Sequence, residues 1–321
     1  MISKPLIALS IICNLVGFNL SAGKFDQKIA DSYSRESFTS ATASDQQLVL
    51  PKILDLPETK INSPKPNILS KEYALIDASS GVIFSSKNPD AHVPIASTTK
   101  IMSAVVALEN YKLDDVATIS LKATQQIPTV VNLRAGEKIT ISELLHCMLI
   151  KSGNDSAYAI GAHMDPTGTE ADYQIFVDRM NAKAKELGMN DTHYMDPAGL
   201  SDDGYSSAAD LATITRYALK NPTFREIVDT QNYVATNTTK TIFHPIENSN
   251  RLVTSYQYPG AIGVKTGFTD AASHCLVGAA TRNNHTLIAV ILGTYANTPS
   301  ASADEARKLL DWGFTNVVWP S

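Results

Sequence analysis

The sequence predicts a mixed α/β protein of the α+β kind, an antiparallel sheet flanked by helices with a separate helical lobe. Three observations lead there. Strand-like runs stand near residues 73–86 and again over 260–293, with helix-like apolar spacing between and after them. Strands and helices do not alternate regularly, which argues against a parallel, doubly wound sheet. The runs Cys275–Ala280 and Thr286–Gly293 are linked by Arg282-Asn283-Asn284-His285, a connection suited to antiparallel neighbours.

The 321 residues suffice for one large domain or two small ones. Lys4 precedes an apolar run from Leu6 to Leu20, broken by Ser10, Asn14 and Gly17, and Ser21-Ala22-Gly23 follow before Lys24. This layout is that of an export signal, expected over 1–22. The run is short for a bilayer span, and an uncleaved N-terminal anchor is the second choice. Residues 23–70 are rich in Ser, Thr, Asp, Gln and Lys and contain Pro51, Pro57, Pro64 and Pro66, so a flexible linker is expected there. The folded domain is expected over 71–321.

Within it, Tyr73–Asp77 and Val82–Ser86 flank Ala78-Ser79-Ser80-Gly81, a hairpin signal. Pro94 bars a helix through its own position, and the apolar spacing after Lys100 predicts one up to Glu109. Val116–Ser120 and Leu133 read as short extended pieces. Thr140-Ile141-Ser142-Glu143 is a capping box opening a helix through Leu149, and a second helix is expected across Ala157–Met164. Thr169–Leu187 reads as a long amphipathic helix with Phe176, Met180 and Leu187 inward and Gly188 as its stop. Ser207–Leu219 is another helix, ended by Asn221-Pro222, and strands begin at Tyr233. A helix over Ala303–Phe314 closes the chain.

Hydrophobic residues make up 44% and charged residues 18%, as in a globular protein with a sizeable core. A net charge of −5 gives no reason to expect nucleic acid as a partner. No Gly-rich phosphate loop or His/Cys cluster of metal-ligand spacing appears, so neither cofactor nor metal is expected. Beyond the export segment two cysteines remain, Cys147 and Cys275. Buried free thiols are the first reading, and a disulfide between them stays open.

The chemistry points to Ser97-Thr98-Thr99-Lys100. A serine at the front of a buried helix lies where backbone N–H groups lack intrahelical partners, and Lys100, three residues on, reaches its hydroxyl. Two further motifs follow in order: Ser152-Gly153-Asn154 at a helix–helix joint and Lys265-Thr266-Gly267 on a strand. Ser-x-x-Lys, Ser-x-Asn and Lys-Thr-Gly in that order are the signature of penicillin-binding proteins and class A β-lactamases. From about Lys71 to Phe314 the chain resembles the low-molecular-weight penicillin-binding proteins, the serine D-alanyl-D-alanine carboxypeptidases.

The resemblance implies a β-lactamase/DD-peptidase-like fold, peptidoglycan stem peptides as substrate and β-lactams as covalent inhibitors. It implies Ser97 as acyl nucleophile and Lys100 as general base. Ser152 is then the proton relay to the leaving amine, and Asn154 positions Lys100 and the substrate amide. Lys265 and Thr266 bind the terminal carboxylate, and Gly267 lets the substrate lie along the strand. The backbone N–H groups of Ser97 and Phe268 form the oxyanion hole. A lysine at its ordinary pKa of about 10.4 is neutral in only about one molecule in 2,500 at pH 7. Burial and a second cation such as Lys265 would lower that value.

The likeness has departures. Asp196-Pro197-Ala198-Gly199-Leu200 stands where these enzymes often read Asn-Pro-His-Gly-Leu. The family commonly carries a carboxylate-gripping arginine after the strand ending at Gly293. Here 295–300 contain none, and the first later arginine is Arg307. An endopeptidase cutting peptide cross-links needs that clamp less, so DD-endopeptidase is the alternative reading. Glu186-Leu187-Gly188-Met189-Asn190 has the spacing of the class A deacylation motif, a third and weaker reading. A penicillin-sensing domain would share the fold but belongs to chains with several membrane spans. Many relatives continue into a β-rich domain and an amphipathic helix, so any membrane contact is expected through the N-terminal segment. The resemblance implies an exported enzyme of the cell wall or periplasmic space.

Overall fold

The computed structural model describes residues 56–164, 171–295 and 298–320. The expected export signal and residues 23–55 of the expected linker lie outside the described residues. In chain order the first elements are β1 (Glu58–Thr59), β2 (Ser70–Asp77) and β3 (Ile83–Lys87). A single 3-10 turn, Ala96–Thr99, runs into α1 (Lys100–Asn110). Next come β4 (Val116–Thr118), the one-turn α2 (Leu121–Thr124), β5 (Lys138–Thr140), α3 (Ile141–Ile150), α4 (Asn154–Ala162) and α5 (Ala171–Glu186). The helices α6 (Ala208–Ala218) and α7 (Pro222–Asp229) precede the hairpin of β6 (Asn232–Thr236) and β7 (Phe243–Glu247). The chain closes with β8 (Ala261–Thr269), β9 (Ser273–Arg282), β10 (His285–Thr294), α8 (Ala301–Asn316) and β11 (Val317–Val318).

Five strands form the main sheet in the order β3-β2-β10-β9-β8, each pair antiparallel. The expected meander β8-β9-β10 is present, and the N-terminal hairpin joins it through β2 against β10. Central β10 is buried on both faces, so its Leu287–Leu292 run is continuously apolar rather than alternating. On one face Leu75, Leu287 and Ile291 pack with Ala306, Leu309 and Leu310 of α8. On the other, Ala74, Ile76, Val277 and Val290 meet the helical lobe, whose core includes Ile101, Leu145, Phe176 and Leu211. Each such leucine or isoleucine contributes about 1.5–3 kcal/mol by burial.

The local signals act much as their chemistry requires, with three differences. Thr140 caps α3 by accepting from the Glu143 N–H at 3.3 Å, but the box stays half closed. The Glu143 carboxylate instead accepts from Tyr233 Oη at 3.3 Å and the Thr236 N–H at 3.2 Å, binding β6 to α3. Pro222 opens a further helix as well as following one: at the first helical position its missing N–H costs nothing, and Asn221 caps Thr223 and Phe224. The ordered chain also begins earlier than Lys71. β1 pairs with β11, Lys60 N–H donates to Asn316 O at 2.8 Å, and Trp312 Nε1–H donates to Pro64 O at 2.6 Å. Residues 58–70 are therefore held against the closing helix, and the boundary expected at 70 shifts accordingly. Backbone hydrogen bonds to the C-terminal segment overrule the Pro-rich, polar composition.

Cys147 and Cys275 are free and fully buried. Burial pushes the Cys275 thiol up to about 12 and the Cys147 thiol higher still. Both should resist a thiol-specific reagent in the native protein and react on unfolding. Rapid native-state labelling of either would contradict that packing.

Candidate active site

The site forms where the 3-10 turn ahead of α1 meets the outer strand of the sheet. That turn carries Ser97, and α1 starts only at Lys100, so the nucleophile candidate precedes the α-helix rather than lying within it. Ala96 adopts a left-handed conformation, φ 48°, and Ser152 does the same at φ 71°. Strain at non-glycine residues of this kind costs about 1–3 kcal/mol each and persists only where the surroundings enforce it.

Lys100 is completely buried and its Nζ has three partners. It donates to Ser97 Oγ at 2.8 Å, to Asn154 Oδ1 at 2.7 Å and to Ala198 O at 2.9 Å. Burial lowers its pKa to about 7, although the Asp196 and Asp155 carboxylates pull it upward. Lys265 is also buried, donating to Thr266 O at 2.9 Å. Its pKa lies well below the ordinary lysine range, first through burial and then through the charge of Lys100. Desolvation, rather than a neighbouring cation, is thus the main cause of the Lys100 shift. Two buried ammonium groups so close disfavour each other, and the pair resists carrying two protons.

Asn154 is fixed from behind. Its Nδ2 donates to Ile127 O at 2.8 Å and its backbone N–H to Thr129 O at 2.7 Å, leaving Oδ1 aimed at Lys100. Next to it, Asp155 accepts from the N–H groups of Val131 and Leu133, which holds the 127–133 loop over the site.

The Asp196–Leu200 loop forms the opposite support. The Asp196 carboxylate accepts four backbone N–H bonds, from Ala198, Gly199, Leu200 and Ser201, at 2.7–2.9 Å. Ser103, one turn along α1 from Lys100, donates to Pro197 O at 2.6 Å. This folding aims Ala198 O at Lys100. Gly199 has φ +75°, and a Cβ there would stand 2.0 Å from Ala96 O, so only glycine lets the loop close on the serine turn.

A cleft of about 820 Å³ lies above these groups, lined by Ser97, Ser152, Asn154, Thr266, Gly267 and Phe268 among others. The sequence motifs therefore converge, with Lys100 and Lys265 buried among them. Three details differ from expectation. The Ser152 hydroxyl has no hydrogen-bond partner among the described residues. Thr266 Oγ1 already shares a 2.8 Å hydrogen bond with Ser249 Oγ. Gly267 is needed on its inner side: a Cβ would lie 3.0 Å from Ile95 O and 3.1 Å from Ser97 N. The serine turn packs directly on the strand there, with Gly267 against the backbone of Ile95 and Ser97. As β8 is the sheet edge, an extended peptide can add along it.

Glu186 stands apart from this group. It pairs with Lys183 at 2.8 Å at the end of α5 and does not line the cleft, which removes the deacylation role its spacing suggested. Among the described residues no group of three or more His, Cys, Asp or Glu could hold a metal ion. No helix among them is long and apolar enough to cross a membrane.

A serine hydroxyl bonded to a buried, low-pKa lysine, with a second lysine on an adjoining edge strand, is the arrangement that the penicillin-binding protein and class A β-lactamase motifs describe. The comparisons agree and are narrower. The D-alanyl-D-alanine carboxypeptidase family model, Peptidase S11, matches residues 58–296, and the chain belongs to that family. The chain is 35% identical over 253 residues to the D-alanyl-D-alanine carboxypeptidase DacF of Bacillus subtilis, covering 77% of this chain and 62% of that one. It is 32% identical over 258 residues to the D-alanyl-D-alanine endopeptidase of Escherichia coli, covering 80% and 81%. The crystal structure of the Streptomyces K15 DD-transpeptidase superposes with a TM-score of 0.73 at 34% identity, covering 78% of this chain and 99% of that one.

Proposed function

We propose that this protein is a serine D-alanyl-D-alanine carboxypeptidase that removes the terminal D-alanine from peptidoglycan stem peptides. The observation that carries the reading is the 2.8 Å contact between Lys100 Nζ and Ser97 Oγ beside the edge strand that carries Thr266-Gly267-Phe268. In this reading neutral Lys100 takes the Ser97 proton as Oγ attacks the carbonyl of the penultimate D-alanine. The Ser97 and Phe268 N–H groups receive the developing oxyanion; one such donor is typically worth about 2.7–4 kcal/mol. The amide C–N bond breaks and the leaving amine takes a proton, relayed through Ser152. Water then cleaves the acyl-serine ester with Lys100 again as base. A β-lactam follows the first half of this path and remains on Ser97 as an ester.

The low Lys100 pKa sets the pH dependence. A base must be deprotonated to act, so acylation should rise with pH along a limb with its midpoint at about 7. Lys100→Met should lose that limb together with most of the rate. A wild-type limb in the ordinary lysine range would contradict the base assignment.

The test of the function is D-alanine release from a peptide ending in D-Ala-D-Ala, run beside mass analysis of the benzylpenicillin adduct. Release together with an adduct on Ser97 supports the carboxypeptidase. An adduct without release would turn the reading towards cross-linked peptides and the endopeptidase activity. We further propose that the enzyme acts outside the cytoplasmic membrane, because Leu6–Leu20 has the composition of an export signal and the substrate is extracellular. Fractionation of the full-length protein tests this; recovery in the cytosol would contradict it.

A further inference from the structure

The geometry points to Arg251 as the residue that grips the carboxylate at the substrate's C-terminal end. This rests on the carboxypeptidase reading and adds the cation that the reading lacks. The reaction needs one: the substrate presents a carboxylate beside the scissile amide, and Thr266 supplies only a hydroxyl. Lys265 is buried and already gives one of its hydrogen bonds to Thr266 O. Burial also holds it well below the ordinary lysine pKa. His274, another basic side chain on the cleft wall, is likewise lowered by burial. The arginine that follows β10, Arg307, is occupied by Asp304 at 3.9 Å and by the Tyr256 ring at 5.3 Å.

Arg251 lines the same cleft as Ser97 and Thr266. It stands two residues past Ser249, whose hydroxyl is 2.8 Å from that of Thr266. The intervening turn is held firmly. Asn248 Nδ2 donates to Val228 O and Thr230 O, and Asn248 Oδ1 accepts from the Asn250 N–H. Asn250 Oδ1 accepts from the Leu252 N–H, and Arg251 O accepts from the Tyr256 N–H at 2.9 Å. Asn250 and Leu252 are both buried, with half-buried Arg251 between them. Its guanidinium has no hydrogen bond, ion pair or ring partner among the described residues. Arg216, Arg225, Arg282 and Arg307 all have such partners. A planar five-donor group left unpaired in the same cleft as a threonine hydroxyl matches a carboxylate, which it can bind through two parallel hydrogen bonds. Of the other charged cleft residues, Lys151 adjoins Ser152, and Glu247 is acidic.

The test compares two peptides, one ending in D-Ala-D-Ala with its free carboxylate and one with the same end amidated. Wild type should prefer the free acid. Arg251→Gln should cut kcat/KM for the acid roughly 10- to 100-fold, mostly through KM, and leave the amide nearly unchanged. Arg251→Lys should recover part of the preference. The amide rate reports that the variants are folded and that Ser97 still reacts. An Arg251→Gln enzyme with the wild-type acid-to-amide ratio would overturn the inference, as would a wild type indifferent to amidation. Failure of the carboxypeptidase reading looks different: wild type would then cleave neither peptide, releasing no D-alanine from the acid and no D-alaninamide from the amide.

Discussion

Ser97→Ala is expected to abolish both D-alanine release and covalent capture of penicillin. Losing the nucleophile of a serine hydrolase costs on the order of 10⁴- to 10⁶-fold in kcat. The fold should survive, because Ser97 Oγ serves only as one of three acceptors of Lys100 Nζ, and Asn154 Oδ1 and Ala198 O remain. The two readouts constrain each other. Loss of both with an unchanged melting temperature assigns the chemistry to Ser97. Penicillin capture that persists in the variant would mean that another hydroxyl is the nucleophile, such as Ser152, which lines the same cleft.

Asp196→Ala is expected to act on stability and catalysis together. The buried carboxylate accepts four backbone N–H bonds, and alanine would leave all four without their acceptor. Stranding buried partners of a charged group costs roughly 3–5 kcal/mol. At 2–4 °C per kcal/mol this lowers Tm by roughly 10 °C. Activity should fall further than stability explains, because Ala198 O is directed to Lys100 by this same loop. Asp196→Asn separates the two effects. It keeps the size of the side chain but removes the negative charge that raises the Lys100 pKa. The acylation limb should therefore move to lower pH, even as the loop loses part of its hydrogen bonding. A limb that stays at about 7 would show that the Asp196 charge does not reach Lys100. A wild-type melting temperature in Asp196→Ala would show that the four hydrogen bonds carry little.

The sequence by itself determined the type and order of most elements and the identity of the motif residues. These depend on short-range information: apolar period, Thr140 as a helix cap, Pro94 ahead of the serine turn, a two-residue link between β9 and β10. Where a local signal had two uses, the local reading chose one. Pro222 stops one helix and starts the next, and Glu143 closes a capping box or bonds to a neighbouring strand. The choice depends on residues far along the chain.

Only the tertiary structure decided what surrounds the motif. Ile127 O, Thr129 O and Ala198 O orient Asn154 and Lys100, yet every residue has a carbonyl and no sequence pattern distinguishes these three. Asp196 read as a departure from a familiar loop and proves to be the carboxylate that organises it. Gly267 is required by the turn packed behind it, a contact between segments about 170 residues apart. The spacing of Glu186 suggested chemistry that the end of α5 places elsewhere. Arg251 carried no motif and acquired meaning only when β8 brought Thr266 beside its turn. The Lys100 pKa is the clearest instance. The residue type offers an amine, but desolvation comes from the whole assembled core, and it is that burial which brings its pKa down to about 7.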